Sequence, residues 1–178
     1  MAKAIEIRPL ARDDDRSGFS CGQDDLDRFF EHYAGQNQFK LHLAVTYVAV
    51  VDERIVGFAT VAASSIERAS VPSARIRKRL PTYPLPVLRL ARLGVDARAQ
   101  GHGVGSALLR HVLSLAVEQR NRLGCVAVVT DAKPQSVSFY QSLGFLPLEG
   151  VREGFLHGEL QPMLLPVDAI ASSSPRAF

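Results

Sequence analysis

The sequence predicts an α+β (α/β) chain organised on a central sheet, and three stretches predict it. Two β-rich runs, Ala44 to Val51 and Ile55 to Ala63, are split by Asp52-Glu53-Arg54, which reads as an antiparallel hairpin. An apolar strand enters a glycine loop, Gly101 to Gly105, then an amphipathic helix and a second apolar strand, which together read as a βαβ unit. A later helix opens at Pro134 and closes at Gly144 before another strand at Phe145.

Taken in order, Ile5 to Pro9 alternates like a short strand and Ala11 to Gln23 is charged and turn-rich. Asp24 is an N-cap candidate for a helix over Asp25 to Gln38, whose Leu26, Phe29, Phe30 and Tyr33 recur at helical spacing and read as a core stripe. Gly57 marks a bulge in the second hairpin strand. Ser64 to Pro86 is broken by prolines and leaves room for one short basic helix around Ser73 to Leu80. Val87 to Val95 is the central strand, and the helix after it places Val104, Leu108, Val112, Leu115 and Ala116 on one side before ending near Asn121 to Gly124. Cys125 to Thr130 is a buried-type strand, Met163 to Val167 belongs to a last one, and the terminal ASSSPRAF is polar and frayed.

A chain of 178 residues is one domain by length, here placed at 1–168 with a flexible tail at 169–178. Hydrophobic residues make up 47% and charged ones 22%, which suits a globular core, and no apolar run reaches a membrane span. The N-terminus lacks the apolar stretch of a secretory signal, so the expected location is the cytoplasm. Cys21 and Cys125 read as separate buried thiols, and the histidines lack the spacing of metal ligands, so no metal is expected. The net charge of +3 conceals a cationic middle: Arg68, Arg75, Arg77, Lys78, Arg79, Arg89, Arg92 and Arg98 face only Glu67 and Asp96. Such a field suits a polyanion such as nucleic acid, a coenzyme entrance, or a solvated loop.

The most specific stretch is LARLGVDARAQGHGVGSALL, residues 90–109. Gly101, Gly103 and Gly105 let the backbone turn and bring its N–H groups to an anion, and a helix starting near Gly103 adds its positive dipole end. Arg98 and Gln100 put a cationic and an amide donor beside this cradle. A Walker loop would need a lysine before Ser106, and a dinucleotide fingerprint would need Gly or Ala where Ser106 stands, so the stretch reads as a pyrophosphate cradle of another kind. A plain turn before a helix would not require glycines at alternate positions.

RAQGHGVG, followed after a helix and a strand by SVSFYQSLGF, resembles the GNAT superfamily of acetyl-CoA-dependent N-acetyltransferases over most of the chain. The resemblance implies the GNAT fold, a central mixed and mostly antiparallel sheet flanked by helices, with acetyl-CoA as cofactor. It implies that Leu93, Gly94 and Val95 pair with the pantetheine arm and that Arg98, Gln100, Gly101, His102, Gly103, Val104, Gly105 and Ser106 hold the pyrophosphate. Lys133, where many members carry asparagine, joins Ser136 and Phe139 near the coenzyme, and Tyr140 matches the family's catalytic tyrosine. A phenol of pKa about 10 is protonated at neutral pH and can donate to a departing thiolate. Phe139 also reads as a packing partner of Tyr140.

A narrower resemblance rests on FSCGQDDLDRFF, on VPSARIRKRLPTYPLPVLRLARLGVD and on FYQSLGF, which look like the toxin acetyltransferases of bacterial toxin-antitoxin pairs. It implies acetylation of the α-amino group of aminoacyl-tRNA, which blocks translation, a ribbon-helix-helix antitoxin as partner, and a homodimer. On this analogy Arg75, Arg77, Lys78, Arg79, Arg89 and Arg92 receive tRNA phosphates. A small-molecule amine N-acetyltransferase acting on an amino acid, polyamine or antibiotic, and a non-catalytic acyl-CoA-binding module, are the alternatives.

Overall fold

The computed structural model describes residues 3–148 and 160–172. Strands β1 (Glu6–Pro9), β2 (Val45–Val51), β3 (Arg54–Ile66), β4 (Leu85–Val95), β5 (Ala127–Ala132), β6 (Leu146–Pro147) and β7 (Gln161–Pro166) form a seven-stranded sheet in the order β1-β2-β3-β4-β5-β7-β6. The pairs β1 with β2, β2 with β3, β5 with β7 and β6 with β7 are antiparallel. The helices are α1 (Asp24–Arg28), α2 (Ala34–Phe39), α3 (Ala74–Arg77), α4 (Val104–Arg122), α5 (Val137–Ser142) and α6 (Val167–Ser172). The chain divides into two compact units, Met1–Ala62 with Leu90–Val112, and Ala63–Arg89 with Leu113–Phe178. Among the described residues no helix is long and apolar enough to cross a membrane.

In the first unit the hairpin forms as the charged tripeptide predicts. Asp52 and Glu53 take φ of 48° and 63°, the paired left-handed geometry of a tight hairpin turn. The register jumps from Ala49↔Gly57 to Val50↔Ile55, so Val56 is the extra residue of a bulge beside Gly57. A Cβ on Gly57 would stand 2.8 Å from Val104 Cγ1 and 3.0 Å from Leu108 Cδ1, so glycine there lets α4 lie close on β3. Gln38 ties helix to strand by donating to the Leu10 carbonyl at 3.0 Å and accepting from the Thr46 amide at 2.8 Å.

The helix expected over 25–38 is instead α1, a π-helical turn at Phe29–Tyr33, and α2. Asp24 does not cap it: Gln23 occupies the N-cap position without a side-chain bond, and Asp24 lies inside the first turn, where its charge suits the dipole. The aromatic stripe is core only in part. Phe29 and Phe30 are only 5% and 0% exposed, and Phe30 stacks on Phe58 at 4.4 Å and 9°, but Tyr33 is 49% exposed. The wide turn shifts the buried face onward to Ala34, which is 1% exposed.

His111 on α4 packs against the Tyr47 ring at 4.5 Å, and its buried Nε2 has no hydrogen-bond partner among the described residues. Burial depresses its pKa below 6.5, so the folded state binds fewer protons there than the unfolded one, and stability falls as pH drops through 6.5. His111→Leu is therefore expected to match or exceed the parent in stability at pH 7, by about 1 kcal/mol, with a larger margin at pH 5. Urea melts at the two pH values measure it.

In the second unit Val87, Ala127, Val129, Leu148 and Leu164 form the core, and β5 pairs with β7 from Ala127↔Pro166 to Ala132↔Gln161. Pro134 opens a 3₁₀ turn that leads into α5. Gly144, at φ 94°, ends α5 with the Phe145 amide donating back to the Tyr140 carbonyl at 3.1 Å. A tail from 169 onward starts too early: α6 runs to Ser172 and buries Ile170 to 4%. Of the stretch expected to fray, residues 173–178 lie outside the described residues. Cys21 and Cys125 are free thiols, only 6% and 4% exposed.

Candidate active site

The glycine loop belongs to the first unit. Leu93, Gly94 and Val95 end β4, and a Cβ on Gly94 would meet Phe58 Cε1 at 2.8 Å, so the strand lies flat on the aromatic core. Asp96 then turns the chain: its amide donates to the Val56 carbonyl at 2.9 Å, and its carboxylate accepts from the Arg98 amide at 3.0 Å, capping the 3₁₀ turn Ala97–Ala99. The Asp96 side chain is 5% exposed, and the Arg98 guanidinium grips it through Nε at 3.0 Å and Nη2 at 3.1 Å. That bond holds the Asp96 carboxyl below the usual range against the opposing effect of burial.

Gly101 and Gly103 adopt φ of 78° and 82°, and a Cβ on either would meet nothing within 4 Å. Their backbone thus takes the left-handed shape next to open space, and α4 follows at once, with the Ala107 amide making its first bond to the Gly103 carbonyl at 3.0 Å. The amides of Val104, Gly105 and Ser106 precede that bond and have no carbonyl of their own helix to reach. Open space, left-handed glycines and a helix start of this length fit the pyrophosphate of a coenzyme.

Two side chains expected as ligands also brace the loop. The Gln100 amide nitrogen donates to the Cys21 carbonyl at 3.1 Å and the Val95 carbonyl at 3.0 Å, so both its N–H groups serve the loop rather than an anion. Arg98 leaves only the remainder of its guanidinium, 73% exposed as a side chain, for a phosphate. His102 sits exposed, its Nδ1 2.9 Å from the Gln100 carbonyl.

A second support comes from the N-terminal segment. Asp27 accepts from the Cys21 amide at 2.8 Å and the Ser20 hydroxyl at 2.9 Å, and the Ser20 carbonyl accepts from the Ala97 amide at 2.8 Å. The turn before α1 thereby carries the coenzyme loop, a pairing so distant along the chain that no local pattern announces it.

Tyr140 belongs to the second unit. It is 6% exposed on α5, with Phe139 and Phe145 edge-on at 5.3 Å each, and its hydroxyl is hydrogen-bonded to Thr130. Burial pushes the phenol up to about 12, outweighing the hydrogen bond to Thr130, which lowers it. Phe139 therefore packs as expected, and the phenol stays protonated across the working range. Lys133 and Ser136 bound the 3₁₀ turn before α5, the Ser136 amide donating to the Lys133 carbonyl at 2.8 Å.

The expected phosphate cations fall into distinct kinds. Arg89 donates to Asp131 at 3.1 Å and to Ser64 at 3.4 Å, so its charge is already met. Arg77 donates to the Val71 and Pro72 carbonyls at 2.6 and 3.0 Å and holds its own loop. Arg75, Lys78 and Arg79 are exposed, and Arg75 and Arg79, with Arg120, are among the residues lining an apolar cavity of about 960 Å³ in the second unit. Arg92, in the first unit, lies with its guanidinium carbon 3.9 Å from the Phe29 ring centroid.

Residues 42–147 match the family described as acetyltransferase (GNAT) domain. The chain is a GNAT acetyltransferase. This GNAT enzyme is 33% identical over 139 residues to a tRNA-acetylating toxin of Mycobacterium tuberculosis (strain ATCC 25618 / H37Rv), covering 78% of the chain and 82% of that protein. Among solved structures it resembles AtaT complexed with acetyl-methionyl-tRNAfMet, at 25% identity and a TM-score of 0.86 over 96% of this chain and 99% of that one. It also resembles an AtaT variant bound to the C-terminus of the antitoxin AtaR and acetyl-CoA, at 25% identity and a TM-score of 0.75 over 95% and 97% of the two chains. The GNAT fold expected from the two motifs is the fold observed.

Proposed function

We propose that this GNAT enzyme is a tRNA-acetylating toxin that transfers acetyl from acetyl-CoA to the α-amino group of aminoacyl-tRNA. The observation that carries the reading is the likeness, over more than three quarters of the chain, to a protein named for that reaction. The AtaT structure holding acetylated initiator tRNA supports it from the side of the fold.

Acetyl-CoA supplies the acetyl group already activated as a thioester. The left-handed Gly101 and Gly103 and the first amides of α4 bind the pyrophosphate, while the Leu93 to Val95 backbone orients the arm and polarises the acetyl carbonyl. Tyr140 would give its hydroxyl proton to the sulfur as the carbon–sulfur bond breaks, and the proton shed by the amine as the amide forms would return to the phenolate through solvent. The amine needs little help: an α-amino group has a pKa near 7.7–8.0, lowered further by the neighbouring ester, so a sizeable neutral fraction attacks directly.

The exposed Arg75, Lys78 and Arg79 receive tRNA phosphates. Their joint replacement by alanine is expected to weaken use of charged tRNA and flatten the log–log salt dependence by about 0.9 for each phosphate no longer neutralised, with coenzyme affinity unchanged. Arg77→Ala removes two carbonyl bonds instead and acts on the loop itself. A ribbon-helix-helix antitoxin, a homodimeric state and a cytoplasmic location complete the reading; the AtaT variant bound to an antitoxin supports an antitoxin partner, whatever its fold.

The deciding experiment offers labelled acetyl-CoA to total charged tRNA, uncharged tRNA and a free amine mixture. Label on charged tRNA alone, released by mild ester hydrolysis, is the expected result. Label only in the free amines would make the enzyme a small-molecule acetyltransferase.

A further inference from the structure

We propose that a cleft in the first unit, lined by Asp25, Arg28, Phe29, Tyr33, Asn37 and Arg92, receives the 3′-terminal nucleotide of the acceptor, with its base stacked on Tyr33. The inference rests on the aminoacyl-tRNA reading above.

The cleft measures about 300 Å³, at the small end of ligand pockets. Its floor is built by the π-helical turn. In an uninterrupted α-helix Tyr33 would continue the buried stripe of Leu26, Phe29 and Phe30; the wide turn gives that place to Ala34 and leaves Tyr33 on the cleft wall, 49% exposed. Such turns cost backbone regularity and recur at functional sites, and here the result is an aromatic face open to solvent.

The other lining groups match the remaining parts of a nucleotide. Arg92 holds its guanidinium carbon over the Phe29 ring, 3.9 Å from the centroid, and Arg28 adds a second cation for a phosphate. Asn37 offers the paired donor and acceptor that a base edge requires. Asp25 bears electrostatically on Arg92 and suits a ribose hydroxyl or a base N–H. An unpaired terminal base is the form of RNA that aromatic platforms take up. Placement selects the terminal nucleotide over the rest: Arg92 lies in β4 directly before Leu93, Gly94 and Val95, the end of that strand assigned to the acetyl-bearing arm, and the aminoacyl ester is carried on that nucleotide.

The test is a substrate–protein cycle with aminoacylated CCA trinucleotide and the same molecule lacking its terminal base. In the parent, base removal is expected to lower kcat/KM roughly tenfold or more. Tyr33→Ala should lose a similar factor on the intact substrate and nothing further on the baseless one, whereas Tyr33→Phe behaves as the parent. Unchanged acetyl-CoA affinity in both variants confirms that they fold. Base removal that costs Tyr33→Ala as much as the parent overturns the proposal. So does a Tyr33→Ala phenotype confined to the choice of amino acid, which would make the cleft an aminoacyl side-chain pocket. If the parent acetylates no charged tRNA, the functional reading falls and this one with it; if it acetylates charged trinucleotide without regard to the base, only this one falls.

Discussion

Tyr140→Phe is expected to slow acetyl transfer by roughly 10²- to 10⁴-fold while leaving acetyl-CoA affinity close to that of the parent. The substitution removes one hydroxyl from a ring held between Phe139 and Phe145 and leaves the ring packing in place. Quenched single-turnover assays report the chemical step, and equilibrium coenzyme binding reports the pocket; full-rate transfer by the variant would remove the acid role. The pH profile carries a second signature. With the phenol pushed up to about 12, the parent should show no loss of its acid up to at least pH 10. The linked stability has a definite sign. The folded state holds this proton more tightly than the unfolded chain, whose phenol titrates near 10.0, so the contribution is complete below that pH and is lost on rising toward 12.

Phe30→Ala is expected to destabilise the protein by about 3–5 kcal/mol, at the upper end of what a single truncation costs. Phe30 is 0% exposed, stacks on Phe58 and meets the edge of Phe19 at 4.9 Å, so no solvent-facing collapse can refill the space. A drop in Tm on the order of 10 °C or more is the corresponding thermal result. Coenzyme binding should weaken in parallel, because Phe58 also lies against Gly94 of the strand leading into the glycine loop. A loss below about 1 kcal/mol would show that this aromatic cluster is not the core of its unit.

Most of this architecture is legible in the sequence because it is written locally. Apolar periodicity marks α4, the charged tripeptide marks the hairpin, and glycines with φ above 75° mark the loop. Asp24 misleads because an acidic residue serves equally well one position into the first turn, where it meets the dipole without bonding an amide. Tyr33 misleads because a π-turn changes the period by one residue and leaves no compositional trace. At the site, residue types announce donors but not whom they serve. Gln100 braces the loop, Arg98 grips Asp96 with part of its guanidinium, and Arg77 and Arg89 answer carbonyls and Asp131, because buried or turning backbone needs partners as much as any ligand does. The Ser20–Asp27 strut has no sequence signal, since both its ends are common turn residues joined only by the fold.

The two buried cysteines acquire a meaning from the reaction itself. Every turnover releases coenzyme A, a free thiol that oxidants convert to disulfides. A protein sulfur joins such a disulfide only as an accessible thiolate. Burial pushes the Cys21 thiol up to about 11, Asp27 adding to the effect, and burial raises Cys125 as well. The enzyme is thereby shielded from conjugation to its own spent product, and its intact mass should show no added coenzyme A after incubation with oxidised coenzyme A without reductant.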